Sequence, residues 1–237
     1  MKCFGVTHTG LVREGNEDSF FIPANGENYA VLCDGMGGHN AGEVASATAV
    51  SVLTGALARL DVCAGDFRLA LQEANAAVYA KSLENEAYSG MGTTLTALWW
   101  NDETIFCAHV GDSRLYRFDE TGLTRLSTDH TVVQELLDMG TITEEEARVH
   151  PRRNLITRAV GTKETVSGEV KGFDRARGSM YLLCSDGLTD MLEESEIAEI
   201  LAGNTPEDAL ARLLARALEE GGNDNITIVL VLDTEEA

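Results

Sequence analysis

The sequence predicts an α+β fold whose sheets are antiparallel. Three observations carry this. Short runs of β-branched and aromatic residues are bounded by turn residues. Neighbouring runs are joined by hairpin-like segments rather than by helices. The helical stretches fall in two separate blocks, each with one broad apolar stripe fit to cover an outer sheet face.

In chain order, "NYAVLC" (28–33) reads as the first clear strand. Residues 42–60 follow as a helix, with Ala45, Ala49, Val52, Leu53, Ala56, Leu57 and Leu60 on one face. A second helix spans 66–79 through Phe67, Leu71, Ala74 and Val78, with Asp66 expected at its N-cap. "TTLTALWW" and "ETIFCAHV" form a hairpin turning at Asn101–Glu103, and "SRLYRF" opens another that turns near Glu120–Gly122. Residues 127–165 stand apart. Leu136 and Leu137 sit in a short amphipathic turn ended by Gly140, and Thr143 opens a second at "TEEE". Arg148, Arg152, Arg153, Arg158 and Lys163 then supply five of the chain's 18 basic residues. Such long segments in a compact domain are often lids or binding loops. After the strand "SMYLLC", Thr205 caps a helix with Pro206 in its first position and Asp208 three residues past the cap. Its apolar face is Leu210, Leu213, Leu214, Ala217 and Leu218, and Gly221-Gly222 ends it before the last strand, "NITIVLVL".

The chain has 237 residues, 44% of them apolar, without repeats, low-complexity segments or a Pro/Ser-rich linker. A single domain over 1–237 is expected, with 127–165 as its subdomain. No apolar run approaches the roughly 20 residues of a membrane span, and no signal peptide follows Lys2. The five cysteines are odd in number and never spaced as CxxC, and three lie in apolar runs. This fits buried thiols in a reducing cytoplasm. The net charge of −21 repels phosphate backbones and argues against nucleic-acid binding.

Four aspartates flank apolar runs. Asp34, Asp112 and Asp186 end theirs, and Asp224 precedes one. If the last strand is antiparallel to its neighbours, all four meet at one edge of the sheets. Each alone reads equally as a turn residue, but together with Arg13, Glu17 and Asp18 of "REGNED" they point to a metal site. Hard oxygen donors suit Mg²⁺ or Mn²⁺. Gly35 would let its carbonyl face an ion, and Gly37 and Gly38 would keep side chains out of the approach. Two adjacent ions would acidify a shared water, whose hydroxide could attack phosphorus in line. Arg13 is the candidate to hold phosphoryl oxygens bidentately; the alternative is an ion pair with Glu14 or Glu17.

These stretches, "RxxNED", "DGMGGHxxGExAS", "GTT", "HVGDSRLY", "DH", "LITRAVG", "LLCSDGLTD" and "GGNDNIT", resemble in order the motifs of the metal-dependent protein phosphatases, the PPM or type 2C family, in their bacterial style. The resemblance runs from about residue 5 to 232. It implies a β-sandwich of two antiparallel sheets flanked by helices, in α-β-β-α layers. It further implies two core Mn²⁺ or Mg²⁺ ions, a weaker third ion, and hydrolysis of phosphoserine and phosphothreonine in proteins without a phosphoenzyme. Residue by residue, Asp34 would bridge two ions and Gly35 would offer its carbonyl to one. Asp186 and Asp224 would complete the first shell, Glu17 would act through water, and Asp18 would support the cluster. Asp112 with Asp186 would hold the third ion, Arg13 would bind the substrate phosphate, and 127–165 would be the family's flap. Many eukaryotic members have a histidine, the proposed general acid, where this chain has Met36. His39 could donate that proton, or it could be a loop histidine satisfied by backbone, with a metal-bound water as the acid. Structural roles are expected for Met36, Thr93, Thr94, His109, Ser113 and Arg114, and His130 should fix the base of the flap.

The expected protein is thus a cytoplasmic, monomeric phosphatase that acts on phosphoproteins and opposes a bacterial Ser/Thr kinase, with no nucleic acid or membrane partner. Two rivals are a phosphatase-like binding module without turnover and a two-metal phosphodiesterase or nuclease. Intact Arg13, Asp34, Asp186 and Asp224 argue against the first, and the acidic charge argues against the second.

Overall fold

The computed structural model describes residues 1–24, 26–37 and 41–234. The apolar runs pair into two antiparallel sheets. One has the order β1 (Lys2–His8), β11 (Ile226–Leu232), β10 (Met180–Cys184), β7 (Arg114–Asp119), β8 (Gly122–Arg125). The other has the order β2 (Asp18–Phe21), β3 (Tyr29–Met36), β5 (Leu95–Trp100), β6 (Thr104–Val110), β9 (Glu169–Asp174), with the short β4 (Gly92–Thr93) on the end of β3. Helices α1 (Ala41–Leu57) and α2 (Ala64–Glu84) cover the second sheet. Helices α5 (Asp186–Thr189), α6 (Glu194–Ala202) and α7 (Pro206–Glu219) cover the first. The expected four-layer sandwich is therefore the fold.

Strand alternation builds the layers. On β10 Leu182 faces the helices and Leu183 faces the other sheet; on β11 Leu230 and Val229 divide in the same way. Between the sheets Leu32, Leu98, Trp100 and Ile105 meet Leu115, Tyr181, Leu183 and Val229. Both faces of the central strands are buried, so they read as continuous apolar runs rather than alternating ones. Under α1 and α2, Phe67 packs edge-on against Trp99, with ring centroids 5.5 Å apart.

The local signals at several ends operate as read. Asn101 closes the β5–β6 hairpin by accepting from the backbone N–H groups of Glu103 and Thr104 at 2.9 and 2.8 Å. Thr205 caps α7 by accepting from Asp208 N–H, with Pro206 at the first position. After α7, Gly221 and Gly222 turn the chain at φ 129° and 50°, in the left-handed region. Within 127–165, α3 (Val132–Asp138) holds Leu136 and Leu137, and Thr143 opens α4 (Glu144–Arg148) with a capping box to Glu146.

Three expectations are corrected. Asp66 is not the cap of α2, because the helix begins two residues earlier and the Cys63 thiol accepts from Asp66 N–H. β3 does not stop at Cys33. It runs to Met36, where Gly35 and Met36 pair with Thr93 and Gly92, so Asp34 lies inside a strand. Finally β1, β2 and β9, which the apolar pattern misses, are edge strands with mostly half-buried side chains.

One topological fact places the site. β11 is antiparallel to both β10 and β1, so its beginning lies where β10 ends. That brings Asp224 toward Asp186, as the sequence argument required.

Candidate metal centre

Asp34 is fixed through its backbone. Its N–H donates to Thr94 Oγ1 at 2.9 Å, and its carbonyl accepts from Thr94 N–H and Thr93 Oγ1, both at 2.8 Å. Thr94 Oγ1 in turn contacts Ser113 Oγ at 2.7 Å, which ties β3 to the turn carrying Asp112. Thr93, Thr94 and Ser113 are thus structural, as expected, and the carboxylate of Asp34 is left free of them.

Asp18 stands directly opposite Asp34 in the β2–β3 register, so the two side chains share one sheet face. Asp18 Oδ2 accepts from Ser185 Oγ at 2.9 Å and Thr227 Oγ1 at 2.6 Å. Just before it, Glu17 presents its carbonyl to Gly35 N–H and Ser46 Oγ. The Glu17 carboxylate lies at the start of α1, where it accepts from Gly42 N–H. This crossing requires glycine at 35 and 42 whether or not an ion binds. A Cβ on Gly35 would run into the Gly42 carbonyl oxygen and lie 2.5 Å from that of Glu17. A Cβ on Gly42 would lie 2.6 Å from the Glu17 carboxyl carbon.

Asp186 is the first residue of α5, immediately after β10. Asp112 follows Gly111, whose φ of 106° makes the turn out of β6. Asp224 precedes β11 and accepts from Arg13 Nη2 at 2.6 Å. Asn225 beside it holds the Arg13 loop, donating to the carbonyls of Thr9 and Gly15 and accepting from Glu17 N–H. The ion-pair partner of Arg13 is therefore Asp224, and not Glu14 or Glu17, the neighbours that proximity in sequence offered.

The aspartates act on one another. Burial pushes Asp34 well above the usual carboxylate range, and the charges of Asp18, Asp186, Asp112 and Asp224 push it further. Asp186 is raised well up by burial and by Asp112, Asp190, Asp224 and Asp18. Asp18 is raised to about 6 by burial, against the pull of its two hydroxyl donors. Asp112 is raised to about 7, by burial and then by Asp129. Glu17 is raised by burial, partly offset by Arg13. Arg13, half-exposed at the rim, is the one cation whose ion pair reaches these carboxylates among the described residues. Asp18 Oδ1 and Asp186 Oδ1 are buried and lack any hydrogen-bond partner there.

Crowded carboxylates with orphaned oxygens fit hard divalent cations, which would remove the repulsion. Among the described residues no three acidic, His or Cys side chains already enclose a single point. That is compatible with Mg²⁺ or Mn²⁺, since Mg²⁺ keeps several waters and takes only one or two carboxylates from a protein. Asp190, near Asp186, extends the acidic cluster, and Asn154 of segment 127–165 donates to it at 3.0 Å.

The start of segment 127–165 is tied to the turn out of β6. His130 exchanges hydrogen bonds with Gly111, through its N–H to the carbonyl and its Nδ1 to the amide. His109 is buried between Thr96 Oγ1 and the Thr128 carbonyl, and burial pushes it down to about 4. Arg114 pairs with Asp129 at 2.9 Å, and Arg125 pairs with the same carboxylate. Between segment 127–165 and α5–α6 lies a cleft of about 360 Å³ bordered by Asp112, Asp186, Arg148 and Arg153. Arg148 pairs with Glu193 at 3.4 Å, while Arg152, Arg153 and Arg158 make no ion pair among the described residues. His39 and Gly38, both singled out above, lie outside the described residues.

Residues that the sequence argument missed are Ser46, Ser185, Asp190, Asn225 and Thr227. Adjacency was the available signal for two of them, since Ser185 precedes Asp186 and Asn225 follows Asp224.

A family profile described as protein phosphatase 2C matches residues 9–230. The serine/threonine protein phosphatase PstP of Mycobacterium tuberculosis is 41% identical over 93% of this chain, which spans 43% of that protein's length. The protein phosphatase PhpP of Streptococcus pneumoniae is 36% identical, with 100% of this chain aligned to 99% of it. The solved catalytic domain of PstP in complex with two manganese ions superposes with a TM-score of 0.90, at 36% identity over 99% of this chain and 98% of that one. Sandwich topology, the gathered aspartates and near-complete alignment agree, and the chain belongs to the protein phosphatase 2C family.

Proposed function

We propose that this chain is a metal-dependent protein phosphatase that hydrolyses phosphoserine and phosphothreonine in proteins, with residues 1–237 as one catalytic unit and 127–165 as its flap. One observation carries the reading: Asp18, Asp34, Asp112, Asp186 and Asp224 come from remote segments into a single centre, where the charges of Asp18, Asp112 and Asp224 raise the proton affinity of buried Asp34 and Asp186. Asp34, the Gly35 carbonyl, Asp186 and Asp224 would hold Mn²⁺ or Mg²⁺, with Glu17 acting through water, Asp18 supporting the cluster and Asp112 joining Asp186 at a weaker third position. Ions bound there would supply a water acidic enough to serve as nucleophile near neutral pH and would offset charge on the phosphoryl oxygens.

The chain's own residues do the rest. Arg13 is half-exposed at the rim, on a loop latched by Asn225. Its pair with Asp224 is partly solvated and weak enough to exchange for a phosphate. Once cations neutralise Asp224, the guanidinium is free to fork onto two phosphoryl oxygens. Glycines at 35 and 42 let strand, loop and helix start pack without side chains between them.

Similarity to the serine/threonine protein phosphatase PstP and the protein phosphatase PhpP supports phosphoprotein substrates; a Ser/Thr kinase that forms such substrates would be the cognate partner. No helix among the described residues is long and apolar enough to cross a membrane. All five cysteines are free and three are buried, which supports a reducing cytoplasm. We take the working form to be a monomer.

The test is Mn²⁺-dependent release of nitrophenol from p-nitrophenyl phosphate and of phosphate from phosphoserine and phosphothreonine peptides. Turnover should require the metal and vanish in Asp34→Asn and Asp224→Asn. A wild type that binds Mn²⁺ but turns over neither would leave a binding module, and cleavage of nucleic acid instead would leave a nuclease.

A further inference from the structure

We infer that Ser185 and Thr227, backed by Thr7 and Asn16, are positioning residues that aim one oxygen of Asp18 at the bound ions. The inference rests on the metal reading of the centre. Asp18, Ser185 and Thr227 are all buried, so the contacts between them are shielded from water. Both hydroxyls donate to the same carboxylate oxygen, Oδ2, at 2.9 and 2.6 Å, and the other oxygen has no partner among the described residues. A carboxylate held this way has one oxygen committed and one free, and it shares a sheet face with Asp34.

The donors are themselves held in a defined sense. Ser185 Oγ accepts from Thr227 N–H at 2.9 Å, so its own proton is available for Asp18. Asn16 Oδ1 accepts from Asp18 N–H at 3.1 Å, which makes the Asn16 amide nitrogen the donor to Thr7 Oγ1 at 2.8 Å. Thr7 Oγ1 lies 2.7 Å from Thr227 Oγ1. With Asp18 ionised, Thr227 must donate to it, and Thr7 must donate to Thr227. The chain therefore runs one way, from Asn16 through Thr7 and Thr227 to Asp18. It joins the base of the Arg13 loop to the metal centre across β1 and β11, whose register sets Thr7 opposite Thr227. Groups that orient the ligands of a metal site commonly change its affinity 10–100-fold when removed.

Thr227→Val keeps the shape and removes the hydroxyl. Titration calorimetry of Mn²⁺ into the folded full-length protein should show binding weakened about tenfold, with Thr227→Ser restoring it. Ser185→Ala should weaken binding similarly. Thr7→Val removes the donor behind Thr227 and the acceptor of the Asn16 amide, touches no carboxylate, and should weaken binding by a smaller factor; it serves as the test if Thr227→Val does not fold. A purely structural role would lower the melting temperature in EDTA and leave Mn²⁺ affinity unchanged. That result in folded Thr227→Val, or in Thr7→Val where the former is unfolded, overturns the relay while leaving the metal reading intact. A wild type that takes up no Mn²⁺ overturns the metal reading and the relay with it.

Discussion

Asp34 holds a charge that its surroundings oppose. Burial and the neighbouring aspartates both favour its protonated form. Such a residue costs stability in the metal-free protein and is tolerable because cations relieve it. Asp34→Asn should therefore abolish turnover yet stabilise the protein in EDTA, by about 1–2 kcal/mol, read as a higher urea midpoint. A lower midpoint would mean that the carboxylates do not crowd one another. Arg13 offers a second residue-level test, because it contacts a residue that should bind metal. Arg13→Ala should lower kcat/KM for a phosphopeptide at least about tenfold, as expected for a lost bidentate phosphate contact. Mn²⁺ affinity should hold or tighten, since Asp224 no longer has a competing guanidinium. A loss of Mn²⁺ affinity would instead make Arg13 part of the metal scaffold.

Local signals decide which elements could be read from the chain. Helix α7 was legible because Thr205, Pro206, Asp208 and the two glycines lie within its own ends. The edge strands β1 and β9 were not, because their side chains are mostly half-buried and carry little apolar periodicity. At the site, the acids were visible as exceptions at the ends of apolar runs, whereas Thr227 looks like an ordinary strand residue. Ser185 had adjacency to Asp186 as a hint, but the role of both hydroxyls depends on Asp18, far away in sequence, and only the fold brings the three together. Gly35 was read as a window for its carbonyl, although the crossing of Glu17 and Gly42 demands a glycine there regardless. The start of α2 shows a local signal misread. Cys63 caps it with sulfur, a weak acceptor, at 3.4 Å from Asp66 N. Serine is a strong cap of nearly the same shape, so Cys63→Ser should raise stability by about 0.5–1 kcal/mol in urea unfolding, with activity unchanged. An unchanged or lower midpoint would show that the thiol's packing outweighs its capping.

Across the whole molecule, ion binding at the proposed centre and folding would be linked through the same carboxylates. In the metal-free protein Asp18 is raised to about 6 and Asp112 to about 7, and Asp34 and Asp186 are raised well above their unfolded values near 4. Groups with raised native values favour the fold below the unfolded value, and that contribution is lost as pH rises through the native one. His109 works in the opposite sense. Lowered to about 4, it favours the fold above its unfolded value near 6.5 and loses that contribution as pH falls toward 4. Four carboxylates outweigh one imidazole, and the net charge of −21 adds self-repulsion as the remaining protons leave. In EDTA the melting temperature should therefore fall between pH 5 and 8, by roughly 5–10 °C for a net change of a few kcal/mol. Saturating Mn²⁺ should flatten or reverse that slope, because a cation bound only by the native state stabilises it, and more so once the ligands are deprotonated. His109→Gln should steepen the fall in EDTA by removing the opposing contribution. If the melting temperature in EDTA were level or rising over this range, the aspartates would not be packed tightly enough to need ions, and the chemistry assigned to them would lose its physical basis.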